Sequence, residues 1–180
     1  MPAIIQKHGS QAIKQAVIPV VLSGQGRISL AITEPTAGSD VQGIQTNIQP
    51  SQKEGCVIIE GSKKWITGGM YASFFLTLAK EQSGGFTLIV VPLSDRVSRR
   101  HITMSGSGTA GAAFVEFDQA EVPIQMIVGE RGNRLKYTMS GSVHERLFIG
   151  MQALRWSRVC LEDAIGYALK RETFGKKLVD

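Results

Sequence analysis

The sequence predicts an α+β fold: an antiparallel β-barrel or sandwich domain followed by a long α-helix, with a short N-terminal helix. Three observations predict it. From Arg27 to Val128, short apolar runs alternate with polar residues and are separated by glycine-rich turns, the spacing of many short strands. From Leu135 to Arg171 no proline interrupts a helical periodicity, which at 1.5 Å per residue extends roughly 55 Å. Ahead of both, Ser10 as a cap and the recurrence Ile13, Val17, Val20, Val21 describe one short helix.

Taken in order, residues 9–22 read as helical, with Pro19 limiting the run and Ser23-Gly24-Gln25-Gly26 ending it. Ile28, Leu30 and Ile32 alternate with small or polar neighbours as in a half-buried strand, which must stop at Pro35 because proline biases Glu34 away from the helical region. Further strands are expected at 44–49, 56–60 and 63–67, the last two divided by Gly61-Ser62. The most apolar runs, 73–79 and 86–91, are expected inside the sheet and joined by a hairpin at Gly84-Gly85. Strands at 101–104 and 112–117 and a short edge near Val122 complete the β segment. The long helix follows, with Asn133 as its cap and Gly175 as its stop. Leu147, Met151, Leu154, Leu161 and Ile165 mark one apolar face, and Ile149, Ala153, Trp156, Cys160 and Tyr167 a second. A surface this wide belongs to a helix covered on several sides. The domain reading is therefore 1–26 as the end of a helical domain, 27–130 as a β domain, and 131–180 as the first helix of a helical bundle.

Composition narrows the function classes. No apolar run is long enough to cross a bilayer, so no membrane partner is expected. The N-terminus lacks the apolar core of a signal peptide, and Lys177-Leu-Val-Asp180 carries no address signal. Cys56 and Cys160 form neither a disulfide framework nor a metal pattern. A reducing intracellular compartment is expected, with cytoplasm, mitochondrion and peroxisome left open, and no metal site. The net charge of +5 is scattered, without the aromatic interleaving of a nucleic-acid surface. Around Arg96, Arg99 and Arg100 a solvated face is the simpler reading, and the phosphates of a CoA or dinucleotide are the functional alternative.

Four stretches carry chemistry. In Thr33-Glu34-Pro35-Thr36-Ala37-Gly38-Ser39-Asp40 a strand breaks into a low-bulk segment with free N–H and hydroxyl donors; a structural turn and a cradle for an anionic or carbonyl-rich ligand fit it equally. Trp65-Ile66-Thr67-Gly68-Gly69 puts a tryptophan at a strand end, where core packing is the commoner role. Ser142-Val143-His144-Glu145-Arg146 lies early in the long helix, and Glu145-Arg146 alone reads equally as an exposed pair. Arg171-Glu172-Thr173-Phe174-Gly175-Lys176 follows that helix, with an arginine fork suited to a pyrophosphate.

Together and in this order, the four stretches resemble the acyl-CoA dehydrogenase family, over residues from about Ser10 to Val179. The resemblance implies FAD as cofactor and α,β-dehydrogenation of an acyl thioester in a fatty-acid or secondary-metabolite pathway. By that resemblance Leu30, Ile32, Thr33, Ser39, Trp65, Ile66 and Thr67 contact the flavin, Trp65 packing on the ring and Thr67 hydrogen-bonding near its reactive nitrogen. Arg171, Thr173 and Phe174 contact the dinucleotide of a neighbouring subunit, and Ser39, Val143 and Arg146 bind the acyl-CoA. Glu145 matches the catalytic base of the isovaleryl and long-chain branches, which removes the proton α to the thioester. Val143 stands where many members carry an acidic or amide residue, and Gly106-Ser-Gly-Thr-Ala-Gly111 where many carry an arginine. The remaining helices of such a protein are not in this sequence. That implies a truncated member, which works as a homo-oligomer or paired with a full-length homologue. The alternative is a catalytically impaired acyl-CoA-binding, scaffolding or accessory protein.

Overall fold

The apolar runs at the centre of the sequence become the centre of a mixed sheet. The structure, a computed structural model, describes residues 2–130 and 134–180, with no side-chain description at Pro2, Arg134, 140–142 or His144. The expected Asn133 cap lies outside the described residues. The chain divides into two units, Met1–Gly141 and Ser142–Asp180.

In the first unit, α1 (Pro2–His8) and α2 (Gln11–Leu22) precede eight strands: β1 (Ile28–Ala31), β2 (Asn47–Pro50), β3 (Cys56–Ile66), β4 (Phe74–Glu81), β5 (Phe86–Pro92), β6 (Val97–His101), β7 (Ala113–Pro123) and β8 (Ile127–Val128). They form one sheet in the order β6-β7-β3-β2-β4-β5-β8, with β1 also on β4. Most pairs are antiparallel, but β1 and β2 both run parallel to β4. They share one edge of it: β1 pairs with Phe74–Thr77, and β2 with Lys80 and Glu81.

Both faces of the β4–β5 hairpin are covered, which explains its unbroken apolar runs. Alternation sends Phe75, Ala79, Ile89 and Val91 into one core with Ile59, Val115 and Phe117, the last edge-on to Phe75. Leu76, Leu78, Leu88 and Val90 enter a second core under Ile4, Ile5, Ile13 and Val17 of the two helices.

Several local expectations change. α1 is an additional helix, and its last residue, His8, stacks on Tyr137 at 3.9 Å. Ser10 caps α2 as expected, its hydroxyl accepting from the Ile13 N–H at 3.2 Å. The helix nevertheless runs three residues past Pro19. The strand expected at 101–104 instead ends at His101: it is β6, and it runs back through Arg100 and Arg99 to Val97, with Arg96 just outside it. Arg99 donates to the Ala72 and Gly69 carbonyls, Arg96 faces Asp118 at the surface, and Arg100 lies over the Phe114 ring.

The two strands expected on either side of Gly61 are one strand, β3, bent by two irregularities against β7. Gly61 sits at φ +138, and a Cβ there would lie 2.7 Å from the Thr46 Cα. The glycine allows close approach of two backbones rather than a turn.

The second unit contains most of α3 (Arg134–Lys170) and a two-stranded ribbon, β9 (Glu172–Thr173) and β10 (Lys176–Lys177). Gly175 is not the helix stop. Phe174 and Gly175, at φ +53 and +73, are the two central residues of the ribbon's turn, the positive-φ pair that matches the twist of a two-residue hairpin. The helix itself closes one turn earlier, where the Arg171 N–H donates to the Tyr167 carbonyl. Among the described residues no helix is long and apolar enough to cross a membrane.

Replacing Gly61 with alanine is expected to destabilise the β domain by about 2–3 kcal/mol, combining φ strain with a backbone clash. A Gly61→Ala protein whose thermal midpoint equals the parent's contradicts this account of β3.

Candidate flavin-binding wall

Lys63 is fully buried, and its ammonium reaches the gap between β1 and β2 on the β4 edge. It donates to the Leu78 carbonyl at 2.7 Å, to Glu34 Oε1 at 2.8 Å and to the Ile32 carbonyl at 3.0 Å. Leu78 lies between the last β1 partner, Thr77, and the first β2 partner, Lys80. The ammonium thus serves backbone acceptors at the point where one strand leaves the edge and the next has not arrived.

Glu34 is the other half of the arrangement, with a side chain 3% exposed. Its Oε2 accepts from the Gln45 N–H at 2.6 Å and its Oε1 from the Thr46 N–H at 3.0 Å. The carboxylate therefore ties the end of β1 to the residues leading into β2. Burial pushes this carboxyl up, but hydrogen bonds from Lys63, Thr46 and Gln45 outweigh it and hold the group below its ordinary value. At Lys63 the balance reverses. Its other acceptors are neutral carbonyls, so burial wins over Glu34 and brings the ammonium down to about 8.

The low-bulk stretch between these anchors is folded on itself. Glu34 and Ala37 exchange backbone hydrogen bonds, and Asp40 accepts from the Gln42 N–H. Asp40 holds the turn, while Ser39 is exposed and Thr33 half-buried. Leu30 and Ile32 are half-buried against the helix-side core.

Just beyond Lys63 the strand changes register. Lys63 faces Val115 and Ile66 faces Ala113, so two residues of β3, Lys64 and Trp65, oppose Phe114 alone. This bulge places Trp65 at φ +62, a conformation that bulky L-residues rarely adopt. Its indole is 51% exposed, with the Lys64 ammonium 4.8 Å from the ring centroid. A tryptophan in the core would bury its whole ring against that strain; this one leaves about half of its surface in solvent. Ile66 returns to the core at 2% exposure, so its side chain belongs to packing.

The two motifs of the first unit are stitched together. The Lys64 N–H donates to the Thr33 carbonyl at 2.8 Å, and the Ser29 hydroxyl to the Thr67 carbonyl at 3.0 Å. Thr67 is itself exposed. Beside it, the Gly68 N–H donates to the Ala110 carbonyl, which sets the glycine-rich loop along the Trp65–Gly69 turn.

In the second unit Val143, Glu145, Arg146 and Arg171 are exposed, and Thr173 is half-buried. Phe174 projects fully from its turn. Leu147, Leu154, Trp156 and Ile165 are each at least half exposed along α3. Among the described residues no group of His, Cys, Asp and Glu could hold a metal ion.

Two family descriptions match this chain: the acyl-CoA dehydrogenase middle domain over residues 29–120 and the acyl-CoA dehydrogenase C-terminal domain over 133–180. The chain belongs to the acyl-CoA dehydrogenase family. It is 40% identical to acyl-CoA dehydrogenase apdG of Emericella nidulans, over 99% of this chain and 42% of that protein. It is 38% identical to acyl-CoA dehydrogenase AFT10-1 of Alternaria alternata, over 98% of this chain and 41% of that protein. Among solved structures, an acyl-CoA dehydrogenase from Geobacillus kaustophilus superposes with a TM-score of 0.90 at 26% identity, covering 100% of this chain and 49% of that one. A glutaryl-CoA dehydrogenase from Mycobacterium smegmatis, solved with FADH2, gives 0.84 at 26% identity over 97% and 45% of the two chains. This member thus spans under half the length of the curated relatives it matches.

For this acyl-CoA dehydrogenase family chain, sequence reasoning found the segment around Glu34 but not what Glu34 does. A signal was available. Continuing the inward row Val57, Ile59, Gly61 by two residues points Lys63 into the core, where a lysine needs a carboxylate.

Breaking the pair leaves an uncompensated buried charge, so Lys63→Met is expected to cost about 3–5 kcal/mol in denaturant unfolding, with only the buried-charge part recovered in Glu34→Gln/Lys63→Met, because the Ile32 and Leu78 carbonyls still lack their donor. The pair also fixes a pH dependence. Glu34, held below its ordinary 4.5, contributes stability that is full above that value and is lost as pH falls through the folded one. Lys63 gives a slope of the same sign in a higher window: between about 8 and 10.5 the unfolded lysine keeps a proton that the folded one has released, so stability again rises with pH. The double variant should flatten both slopes; a parent-like profile of melting temperature against pH contradicts the assignment.

Proposed function

We propose that this chain is part of an FAD-dependent acyl-CoA dehydrogenase that introduces a double bond between the α and β carbons of an acyl thioester. The observation that carries the reading is Trp65, a half-exposed indole held at positive φ on a strand end stitched to Ser29 and Thr33. A strained backbone under a half-exposed aromatic is what a side chain kept for a ligand looks like.

The residues present fit an isoalloxazine ring and its polar edge. Trp65 offers a flat apolar face, Thr67 an exposed hydroxyl, and Thr33 and Ser39 further hydroxyls on the neighbouring segment. Arg171, Thr173 and Phe174 are assigned to the dinucleotide portion of a neighbouring subunit's flavin, where a guanidinium fork matches paired phosphate oxygens. Arg146 and Val143 are assigned to the acyl-CoA. When bound, FAD supplies the acceptor for the hydride lost from the β carbon. Glu145 supplies what remains: its carboxylate takes the proton from the carbon α to the thioester, which the adjacent carbonyl acidifies.

A carboxylate acting on so weak an acid works best where water is excluded and its basicity is raised. Glu145 lies on an exposed stretch of α3, among apolar residues that are also exposed. The reading therefore includes other helices over α3, from a second copy of the chain or a full-length homologue. The exposure of Glu145 also favours a second reading, an acyl-thioester-binding accessory protein without turnover.

Visible absorption of the purified protein, with and without added FAD, tests the leading reading; a chain that retains no flavin refutes it. Trp65→Gly should release flavin and, because glycine adopts positive φ without a Cβ clash, should relieve about 1 kcal/mol of strain that offsets part of the packing lost with the indole. Glu145→Gln should keep flavin and lower acyl-CoA turnover by about 10²-fold or more. Undiminished turnover in that variant moves the base elsewhere, and a flavin-loaded parent with no turnover selects the accessory reading.

A further inference from the structure

The bulge that presents Trp65 begins at the residue after Lys63, and Lys63 is the most heavily anchored side chain in β3. On the far side of the bulge Ile66 is fixed by burial in the sheet core. The irregular segment is therefore clamped at both ends, at one by a buried ion pair and at the other by packing. The clamps differ in kind. Packing tolerates any apolar residue of suitable size, whereas an ammonium in this interior tolerates only the position that meets Glu34, Ile32 and Leu78 together.

Removing the bulge illustrates the consequence. If β3 relaxed to regular pairing with β7, one residue would leave the ladder mismatch and every side chain on one side of it would change face. Were the Cys56–Lys63 segment to slip, the lysine would leave its partners and the Glu34 carboxylate would stay buried without a cation. Were the far side to slip, Ile66 would be expelled from the core. With Lys63 held, the strain at Trp65 has no cheap route to relax.

We propose that the Glu34–Lys63 pair is a register lock that positions Trp65: it pins β3 against the β1–β2 gap and thereby holds the indole outward on its bulge. Lys63 and Glu34 are positioning residues, acting on the ligand wall through Trp65 and through the Lys64 N–H bond to Thr33. The pair also serves the backbone, since two apolar side chains here would leave the Ile32 and Leu78 carbonyls and the Gln45 and Thr46 N–H groups without these partners. The flavin half of the inference rests on the proposed function; the positioning half does not.

The experiment uses the full chain carrying Trp156→Phe, which leaves Trp65 as the only tryptophan. In this background Glu34→Gln/Lys63→Met is compared with its parent, after circular dichroism and cooperative thermal unfolding show both folded. The expected result is a marked fall in Trp65 fluorescence anisotropy and altered iodide quenching, together with at least a tenfold weaker FAD dissociation constant measured by flavin fluorescence. Parent-like anisotropy, quenching and FAD affinity in a folded double variant overturn the lock. If the double variant does not fold, Glu34→Gln alone is read in the same way. If the parent binds no FAD, the proposed function fails by itself, and the anisotropy and quenching still decide the lock.

Discussion

Lys63 sits where the sheet has a topological problem. Two strands run parallel to β4 along one edge, and the chain leaves that edge after β1 and comes back to it as β2. At the interruption, backbone carbonyls face the interior with no strand opposite. An apolar side chain would leave those carbonyls unsatisfied, at roughly 1–3 kcal/mol each. A lysine satisfies them but brings a charge, and the charge requires Glu34. The carboxylate then has acceptor capacity left over, which the Gln45 and Thr46 N–H groups take up. One sheet defect thus recruits a cation, the cation an anion, and the anion the loop that carries Thr33 and Ser39.

The same chain of causes bears on how the wall is divided between function and support. In the segment from Thr33 to Asp40 the charged residues face inward duties: Glu34 serves the pair and Asp40 the following turn. The residues left facing outward are small and hydroxylic. In the segment from Lys63 to Thr67 the division repeats, with Lys63 and Ile66 turned inward and Lys64, Trp65 and Thr67 outward. Each outward residue neighbours an inward anchor, and hydrogen bonds from Lys64 to Thr33 and from Ser29 to Thr67 hold the two segments together, which is the arrangement a preorganised site needs.

How much of this was legible in the sequence depends on the range of the interaction. Local signals worked where they were strong. Ser10 caps its helix, Gly84-Gly85 joins the two most apolar strands, and the long helix runs almost as its periodicity indicates. Signals that depend on pairing failed. Gly61 looks like a break because glycine usually is one, and only the approach of Thr46 reveals a continuous strand. Gly175 looks like a helix stop, and only the partner strand shows it to be half of a hairpin turn. Arg96 and Arg100 are solvated, as a charged run suggests, but the charge hides the alternation of a strand whose inward residue is Val97. At the candidate site, spelling identified the segments, but neither the ion pair nor the bulge could be read, since both are relations between β3 and elements far from it in sequence.

Three residues other than glycine adopt positive φ: Trp65, Gln119 and Phe174, among those described. Gln119 needs no ligand to explain it, since it is the extra residue where β7 bulges against β3 between Ile59 and Gly61. The two aromatics are different. Each has the side chain least suited to its conformation, each is exposed, and each occupies a position where asparagine or glycine would be cheaper for the fold. Trp65 crowns a strand bulge in one unit and Phe174 the ribbon turn in the other. Folding stability gives no reason for either choice. The proposed flavin would: an aromatic on a rigid, sharply bent backbone offers its ring with little conformational freedom left to lose on binding. The physical case for these two positions therefore stands on backbone geometry, independently of the sequence resemblance that first drew attention to them.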